Sequence, residues 1–543
     1  MGRKKVYEFF IVFTLSLIFF LIFKLPNNPI GSADELSYVY LTEKIAKSQT
    51  LFLENNLQIN KHYLTPRIFV VTLNNDIIPF NQLGAPFIFS FFYYLFGKFS
   101  YFIINPVLGA LGIAVIYLFA LEYYNKKIAV WSAIILALNP IYWIFSETMY
   151  TEILSTTLII LGFYLLVKYS QNRNILFVVF SSLLLSYSIL VRYTNIVALL
   201  VVFLLILMNK SKRFNLNLNK PSLLFIIYSF STIFAILIIL YINSTFYGNA
   251  LSTGYNLYQG GEINSFQSAF SLSNLIRNSP IYILGLIIEL PILSFFIAKY
   301  FVSIRNNADL LYYISLFLLT GFFVIYSSYI ASMYQIWHMV RYLISAFPFL
   351  VVVGVSELFR TVKKNNSQRF LLWLIVLSSL FIGFIQLTTF TYSADRSAQI
   401  GYKIRDLTEP DAVIISSIYD KSIIPTIYAN RTLYNPGTGS YFNKTDLYAS
   451  IKYIRGNDIP VYLLVDEGYG GITNIRTSPK KNYYGDGWNV RYITSAIRDE
   501  LINSGDFSLS KSNFQIHIRP LYPIQYFQIT EEYSIYSITP TLD

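Results

Sequence analysis

The 543-residue chain contains no cysteine. Disulfides, thiolate nucleophiles and cysteine-held metal are therefore excluded. Only three histidines occur, His62, His338 and His517, too few for a histidine-rich zinc centre. Charge is scarce too. Asp, Glu, Lys and Arg make up 13% of the chain against 55% hydrophobic residues, roughly half the charge of an ordinary soluble domain. A surface this apolar needs lipid as its solvent. Internal repeats and low-complexity tracts are also absent. The formal net charge of +12 is not a nucleic-acid footprint. The basic residues sit in short connectors between apolar runs, which is the positive-inside pattern of a membrane protein.

Runs long enough to cross a bilayer as helices lie at 6–26, 101–121, 128–145, 150–167, 175–191, 194–208, 222–242, 280–298, 310–330, 342–358 and 370–390. With the N-terminus inside, the inner connectors are 3–5, 126–127, 168–173, 210–220, 299–305 and 360–369. Each is basic, and none has a rival acidic cluster. This alternation predicts a polytopic all-α membrane protein of about eleven transmembrane helices, with a cytoplasmic N-terminus, in the plasma membrane. The first run follows a basic start but has no small-x-small cleavage site, so it reads as an uncleaved helix.

Two outer segments are long. The first, 27–100, contains an apolar piece at 85–96 that is too short to span and is expected to lie on or re-enter the membrane surface. The second, 243–279, carries Gly248, Gly254, Gly260 and Gly261. Past residue 390 the composition turns polar. Apolar runs at 412–416 and 461–465 predict buried strands. The expected division is a transmembrane domain over 1–390 and a C-terminal extracytoplasmic α/β domain over 391–543.

Charges near hydrocarbon are costly and invite a functional reading. Asp34 and Glu35 open the first outer loop, where a desolvated carboxylate serves as a general base; a solvated acidic pair is the plain alternative. Glu147 and Glu152 flank an outer turn, and Glu152 also suits the start of a helix. Arg192 lies between two apolar runs and calls for an anion, although a helix C-terminus also welcomes a cation. His338 and Arg341, three apart on one helix face, stand at the start of the tenth span. The dipole disfavours cations there, whereas an anion held by Arg341 and the helix start explains them. Carboxylates and arginines at one membrane face suit transfer from a phosphate-bearing lipid. Glu289, near mid-span beside Pro291, reads as a structural hydrogen-bonding group.

Several stretches, in order, resemble the GT-C superfamily of polyprenyl-phosphate-sugar glycosyltransferases, of the protein mannosyltransferase and aminoarabinose transferase type. They are Asp34-Glu35 with Tyr38–Ile45, Asn139-Pro140 with Ser146–Glu152, Leu183–Thr194, the Gly248-Asn249…Gly254-Tyr255 loop, and Arg341-Tyr342…Pro348. A Trp-Trp-Asp-Tyr-Gly motif is missing, which speaks against the oligosaccharyltransferase branch. The resemblance implies a GT-C-like fold over 1–390 and an inverting displacement. Asp34 would deprotonate the acceptor hydroxyl and Glu35 would position Asp34 or the acceptor. Arg192 and Arg341 would steady the departing polyprenyl phosphate. Glu152, with Glu147 as the spare candidate, would line the sugar site, and His338 and Tyr255 join the substrate-binding set. The implied partners are a polyprenyl-phosphate sugar, membrane lipid, and an acceptor that is a protein, glycolipid or polysaccharide. No cofactor is required, and a divalent metal stays open. The rival readings are a transporter or lipid flippase, which the lack of inverted repeats disfavours, and a non-catalytic assembly subunit.

Overall fold

The computed structural model describes residues 3–24, 30–52, 69–71, 76–210, 220–255, 270–303, 310–329, 339–416, 428–434, 444–469, 497–499, 501–518 and 529–541. His338 lies outside them, as do Gly260 and Gly261.

Helix α1 (Arg3–Lys24) leads to α2 (Ala33–Ala46), a short β1–β2 hairpin (Phe69–Val71, Ile77–Pro79) and α3 (Gly84–Phe96). The bundle continues with α4 (Ser100–Tyr123), α5 (Lys126–Ala137), α6 (Pro140–Glu147), α7 (Glu152–Asn172), α8 (Ile175–Val191), α9 (Ile196–Lys210) and α10 (Pro221–Tyr247). It is completed by α11 (Leu272–Glu289), α12 (Leu293–Ser303), α13 (Leu310–Ser328), α14 (Phe347–Thr361) and α15 (Asn365–Leu407). Among the described residues, six helical stretches are long and apolar enough to cross a membrane: α1, 84–123, α7, α10, α13 and α15. Two bent pairs raise the number to eight, and α8 and the 193–209 helix are shorter apolar helices. The chain is a multi-pass membrane protein.

Each expected span contains helix, but two are broken. The run at 128–145 divides into α5 and α6, bent by 59°. The cause is local. Asn139 precedes a proline, which disfavours helical ψ, and adopts ψ 124. Its side chain then caps α6 by accepting from Tyr142 N–H at 3.0 Å. The run at 280–298 divides into α11 and α12, bent by 112° around Pro291. Ile292 there holds φ 64, a costly conformation for a β-branched residue. Glu289 sits at this break and accepts from Gln386 Nε2 at 2.6 Å, the structural hydrogen bond expected of it. The expected start of span ten is a 3-10 turn, Arg341–Leu343, and α14 begins only at Phe347. Arg341 is therefore not at an α-helix N-terminus.

The short helix expected at 85–96 is α3. Its start is buried, while Phe87, Phe91, Tyr94 and Phe96 are exposed. Strands β3 (Val413–Ile415), β4 (Thr432–Tyr434), β5 (Val461–Tyr469), β6 (Phe507–Ile518) and β7 (Ile529–Pro540) form a mixed sheet in the order β4-β3-β5-β7-β6. β3 is parallel to β4 and β5, and β7 is antiparallel to β5 and β6. Helix α15 runs unbroken through residue 390 and reaches the sheet, where Gln399 exchanges hydrogen bonds with the His517 backbone at 2.6 and 3.0 Å.

Candidate active site

Helix α2 begins with Ser32-Ala33-Asp34-Glu35. Ser32 has extended dihedrals and accepts from Glu35 N–H at 3.3 Å, an ordinary serine N-cap. The Asp34 carbonyl accepts from Ser37 Oγ, and Ser37 is itself held by Asn81. Asp34 and Glu35 are thus fixed on the first turn. Neighbouring helix residues point about 100° apart, so the two acids enter different surroundings.

Asp34 faces an arginine group. Arg341 Nη2 lies 3.4 Å from Asp34 Oδ2, with the Asp34 side chain 37% exposed and that of Arg341 6%. Arg341 Nε is 3.6 Å from Glu152 Oε1, and the same oxygen meets Arg192 Nη1 at 2.7 Å. One buried carboxylate thus bridges two guanidinium groups. Tyrosines surround them. Arg341 lies 4.8 Å from the ring centres of Tyr150 and Tyr342, and Arg192 lies 5.4 Å from Tyr342. Tyr342 stacks on Tyr326 at 4.6 Å. Such rings attract the cations through their faces without neutralising them. Arg341 Nη1 and Nε and Glu152 Oε2 have no hydrogen-bond partner among the described residues, although all are buried. The group holds spare donors for an anion and a spare acceptor for a hydroxyl.

Tyr255 borders this group, within electrostatic reach of Tyr38, Arg192 and Asp34. Its ring meets Phe80 edge-on at 5.0 Å. The glycine before it has a steric cause: a Cβ on Gly254 would fall 2.2 Å from the Phe80 carbonyl oxygen. Only glycine lets the 248–255 loop close on β2 so tightly.

Glu35 enters a second group. Its Oε1 accepts from Met149 N–H at 2.6 Å and its Oε2 from Gly31 N–H at 3.0 Å. Burial pushes its carboxyl above the ordinary range, opposed by the Met149 N–H, the Lys24 charge and the Gly31 N–H. Glu147 belongs here as well: it accepts from the Trp143 indole, and its carbonyl accepts from Lys24 Nζ. A small cavity between Lys24, Glu35, Glu147 and Phe390 of α15 adjoins them.

Of the residues singled out from the sequence, the structure brings together Asp34, Glu152, Arg192 and Arg341, with Tyr255 at the border. It sets Glu35 and Glu147 apart in the Lys24 group. Sequence reasoning missed Lys24, Asn105, Tyr150, Tyr326 and Tyr342. Lys24 looked like the flank of a span, and the tyrosines do not stand out among 46. Among the described residues, no cluster of three Asp, Glu or His side chains is placed to hold a metal ion.

Residues 81–239 match a family model described as dolichyl-phosphate-mannose-protein mannosyltransferase. That segment contains Glu152 and Arg192 but neither Asp34 nor Arg341. Among solved structures, the chain is similar to ArnT from Cupriavidus metallidurans bound to undecaprenyl phosphate, with TM-score 0.58 and 11% identity over 98% of each chain. It is also similar to the archaeal oligosaccharyltransferase AglB from Archaeoglobus fulgidus in complex with an inhibitory peptide and a dolichol-phosphate. There the TM-score is 0.54 and the identity 12%, over 86% of this chain and 70% of that one. No curated protein matches the sequence. At such identities the likeness to solved structures is one of fold. Together with the family match, it bears out the resemblance to the GT-C glycosyltransferases.

Proposed function

We propose that this chain is a membrane glycosyltransferase that moves a sugar from a polyprenyl phosphate to an acceptor hydroxyl at the extracytoplasmic face, by one inverting displacement. One observation carries the reading: a half-exposed carboxylate, Asp34, lies 3.4 Å from a buried guanidinium, Arg341, that retains unpartnered donors. A phosphate monoester or diester satisfies such donors bidentately.

In this reading Arg341 and Arg192 hold the phosphate beside the rings of Tyr150 and Tyr342. Glu152 keeps the two cations together and offers Oε2 to a sugar hydroxyl. Asp34 accepts the proton of the acceptor hydroxyl as its oxygen attacks the anomeric carbon. The anomeric carbon–oxygen bond to phosphate breaks, and polyprenyl phosphate leaves with the electron pair, stabilised by the arginines. The α1 N-terminus is the cytoplasmic end. At about 1.5 Å per residue, the 22 residues of α1 span about 33 Å, a bilayer's hydrocarbon thickness. The N-terminal end of α1 carries Lys5 and Glu8 in ion pairs with Glu122 and Lys126, and its other end carries Lys24 beside the site. The polar region beyond residue 390 would then lie outside, over the site.

The test is turnover of a panel of radiolabelled polyprenyl-phosphate sugars by purified protein in nanodiscs, with a membrane extract as acceptor. Wild type consumes one of these donors, and Asp34→Asn loses at least about a hundredfold, as removal of a general base requires. Equal turnover in both would remove Asp34 as the base. A folded wild type that consumes no donor while translocating a fluorescent lipid would favour the flippase reading.

A further inference from the structure

The turn between α6 and α7 is a non-helical part of the site wall. Residues 148–151 include Tyr150, lead into Glu152, and are buried. Backbone amides and carbonyls buried outside a helix need partners from elsewhere. Three side chains on three other elements supply them. Lys24, the last residue of α1, donates from Nζ to the Glu147 carbonyl. Asn105 of α4 donates from Nδ2 to the Thr148 carbonyl and to the Tyr150 carbonyl, the latter at 2.7 Å. Glu35 of α2 accepts from Met149 N–H at 2.6 Å. The relative exposures of Lys24, Glu35 and Asn105 are 3%, 1% and 1%. Within residues 147–150, three carbonyls therefore meet a donor and the Met149 amide meets an acceptor. Glu35 and Glu147 act electrostatically on Lys24, so the buried charges are not isolated.

We propose that Lys24 and Asn105 are positioning residues for the reaction. With Glu35 they clasp the 147–150 backbone and so hold Tyr150 and Glu152 against Arg341. The proposal rests on the transfer reading above. Because Glu35 stands on the same helix turn as Asp34, the clasp also sets the spacing between base and phosphate-binding group. A shift of about 1 Å in such spacing costs on the order of a hundredfold in rate.

The experiment uses the full-length protein in nanodiscs with Lys24→Met, Lys24→Arg and Asn105→Leu. Hydrogen exchange is followed in the 146–153 peptide, and steady-state kinetics with the donor that the wild type consumes. Lys24→Met and Asn105→Leu speed exchange in that peptide by about tenfold or more. They lower kcat by about ten- to a hundredfold and leave KM for the donor within about twofold, because the arginines are untouched. Lys24→Arg, which keeps charge and donors, restores much of both. Unchanged exchange overturns the clasp, whatever the rate does. Faster exchange at unchanged kcat overturns the positioning role. If Lys24→Met loses protection throughout the bundle, Lys24→Met with Glu147→Gln removes the charge pair together, and the same two outcomes decide. A wild type that consumes no donor, with the exchange response intact, overturns the transfer reading and spares the clasp.

Discussion

Two charged regions of this protein use the same residue types in opposite ways. Near the start of α1, Lys5 and Lys168 both reach Glu122, at 2.9 and 2.7 Å. Glu8 takes Lys126 at 2.7 Å on one oxygen and the Tyr117 hydroxyl at 2.9 Å on the other. These pairs are short and closed, and they tie α1, α4, α5 and α7 together. Around Asp34 the ion pairs of Arg341 stretch to 3.4 and 3.6 Å, and buried donors and an acceptor remain unpartnered. The cluster at the start of α1 has no unpartnered buried polar side-chain atom among the described residues. One that awaits a ligand leaves some open, at a cost in stability that binding returns. The contrast separates the two clusters better than exposure alone, since the side chains of Glu122 and Glu152 are only 8% and 3% exposed.

The sharpest way to break the contrast applies one chemical change to both regions. Asp34→Asn is expected to lower donor turnover by at least about a hundredfold, whereas Glu8→Gln keeps it within about twofold. Comparable losses in both, measured in the same nanodisc assay, would dissolve the distinction. Arg341→Lys comes next. It keeps the charge but loses the planar fork, so kcat/KM for the donor is expected to fall about ten- to a hundredfold. Inhibition by added polyprenyl phosphate should weaken in parallel, and unchanged inhibition would take Arg341 out of phosphate binding. Glu152→Gln is expected to cost less, about tenfold in kcat/KM. Its amide retains a hydrogen-bonding oxygen but no longer bridges two cations, and the loss should shrink for a donor lacking the sugar hydroxyl that Oε2 receives. The smallest effect belongs to Lys126→Ala, with its side chain 62% exposed. It is expected to change stability by no more than about 1 kcal/mol, read as thermal unfolding in detergent, and to leave turnover alone.

Much of the bundle was legible because a bilayer fixes how long an apolar run must be. The helix at 175–191 coincides with its expected run, and the run at 370–390 lies within the longer α15. The breaks were less visible. Asn139-Pro140 reads as a helix start only once α5 is known to end there, and Ile292 takes a positive φ that nothing in Leu290-Pro291-Ile292 demands. At the site, acids and arginines were found because charge is rare in such a chain. Their partition was not, although it follows from helix geometry: adjacent residues cannot face one target, so Asp34 and Glu35 had to part. Lys24 was hidden because a lysine ending a span ordinarily reaches for water. Here the Glu147 carbonyl accepts from it and turns it inward, and that is decided by a partner more than a hundred residues away. The tyrosine walls were invisible for a compositional reason, since tyrosine is everywhere in this chain.

Helix α15 has a consequence for how such proteins can change over generations. Its 43 residues form one uninterrupted rod, and at about 1.5 Å per residue it is about 65 Å long. About two-thirds of the way along, Ala394 packs so closely on Gly31 that a Cβ added to Gly31 would lie 3.2 Å from it, three residues before Asp34. Five residues further on, Gln399 grips β6. A single codon gained or lost between these two points would turn the sheet about 100° relative to the bundle and move it along the rod. Substitutions there can accumulate, but insertions and deletions cannot. Length variation among descendants of this chain should therefore fall in the connecting segments and spare 394–399.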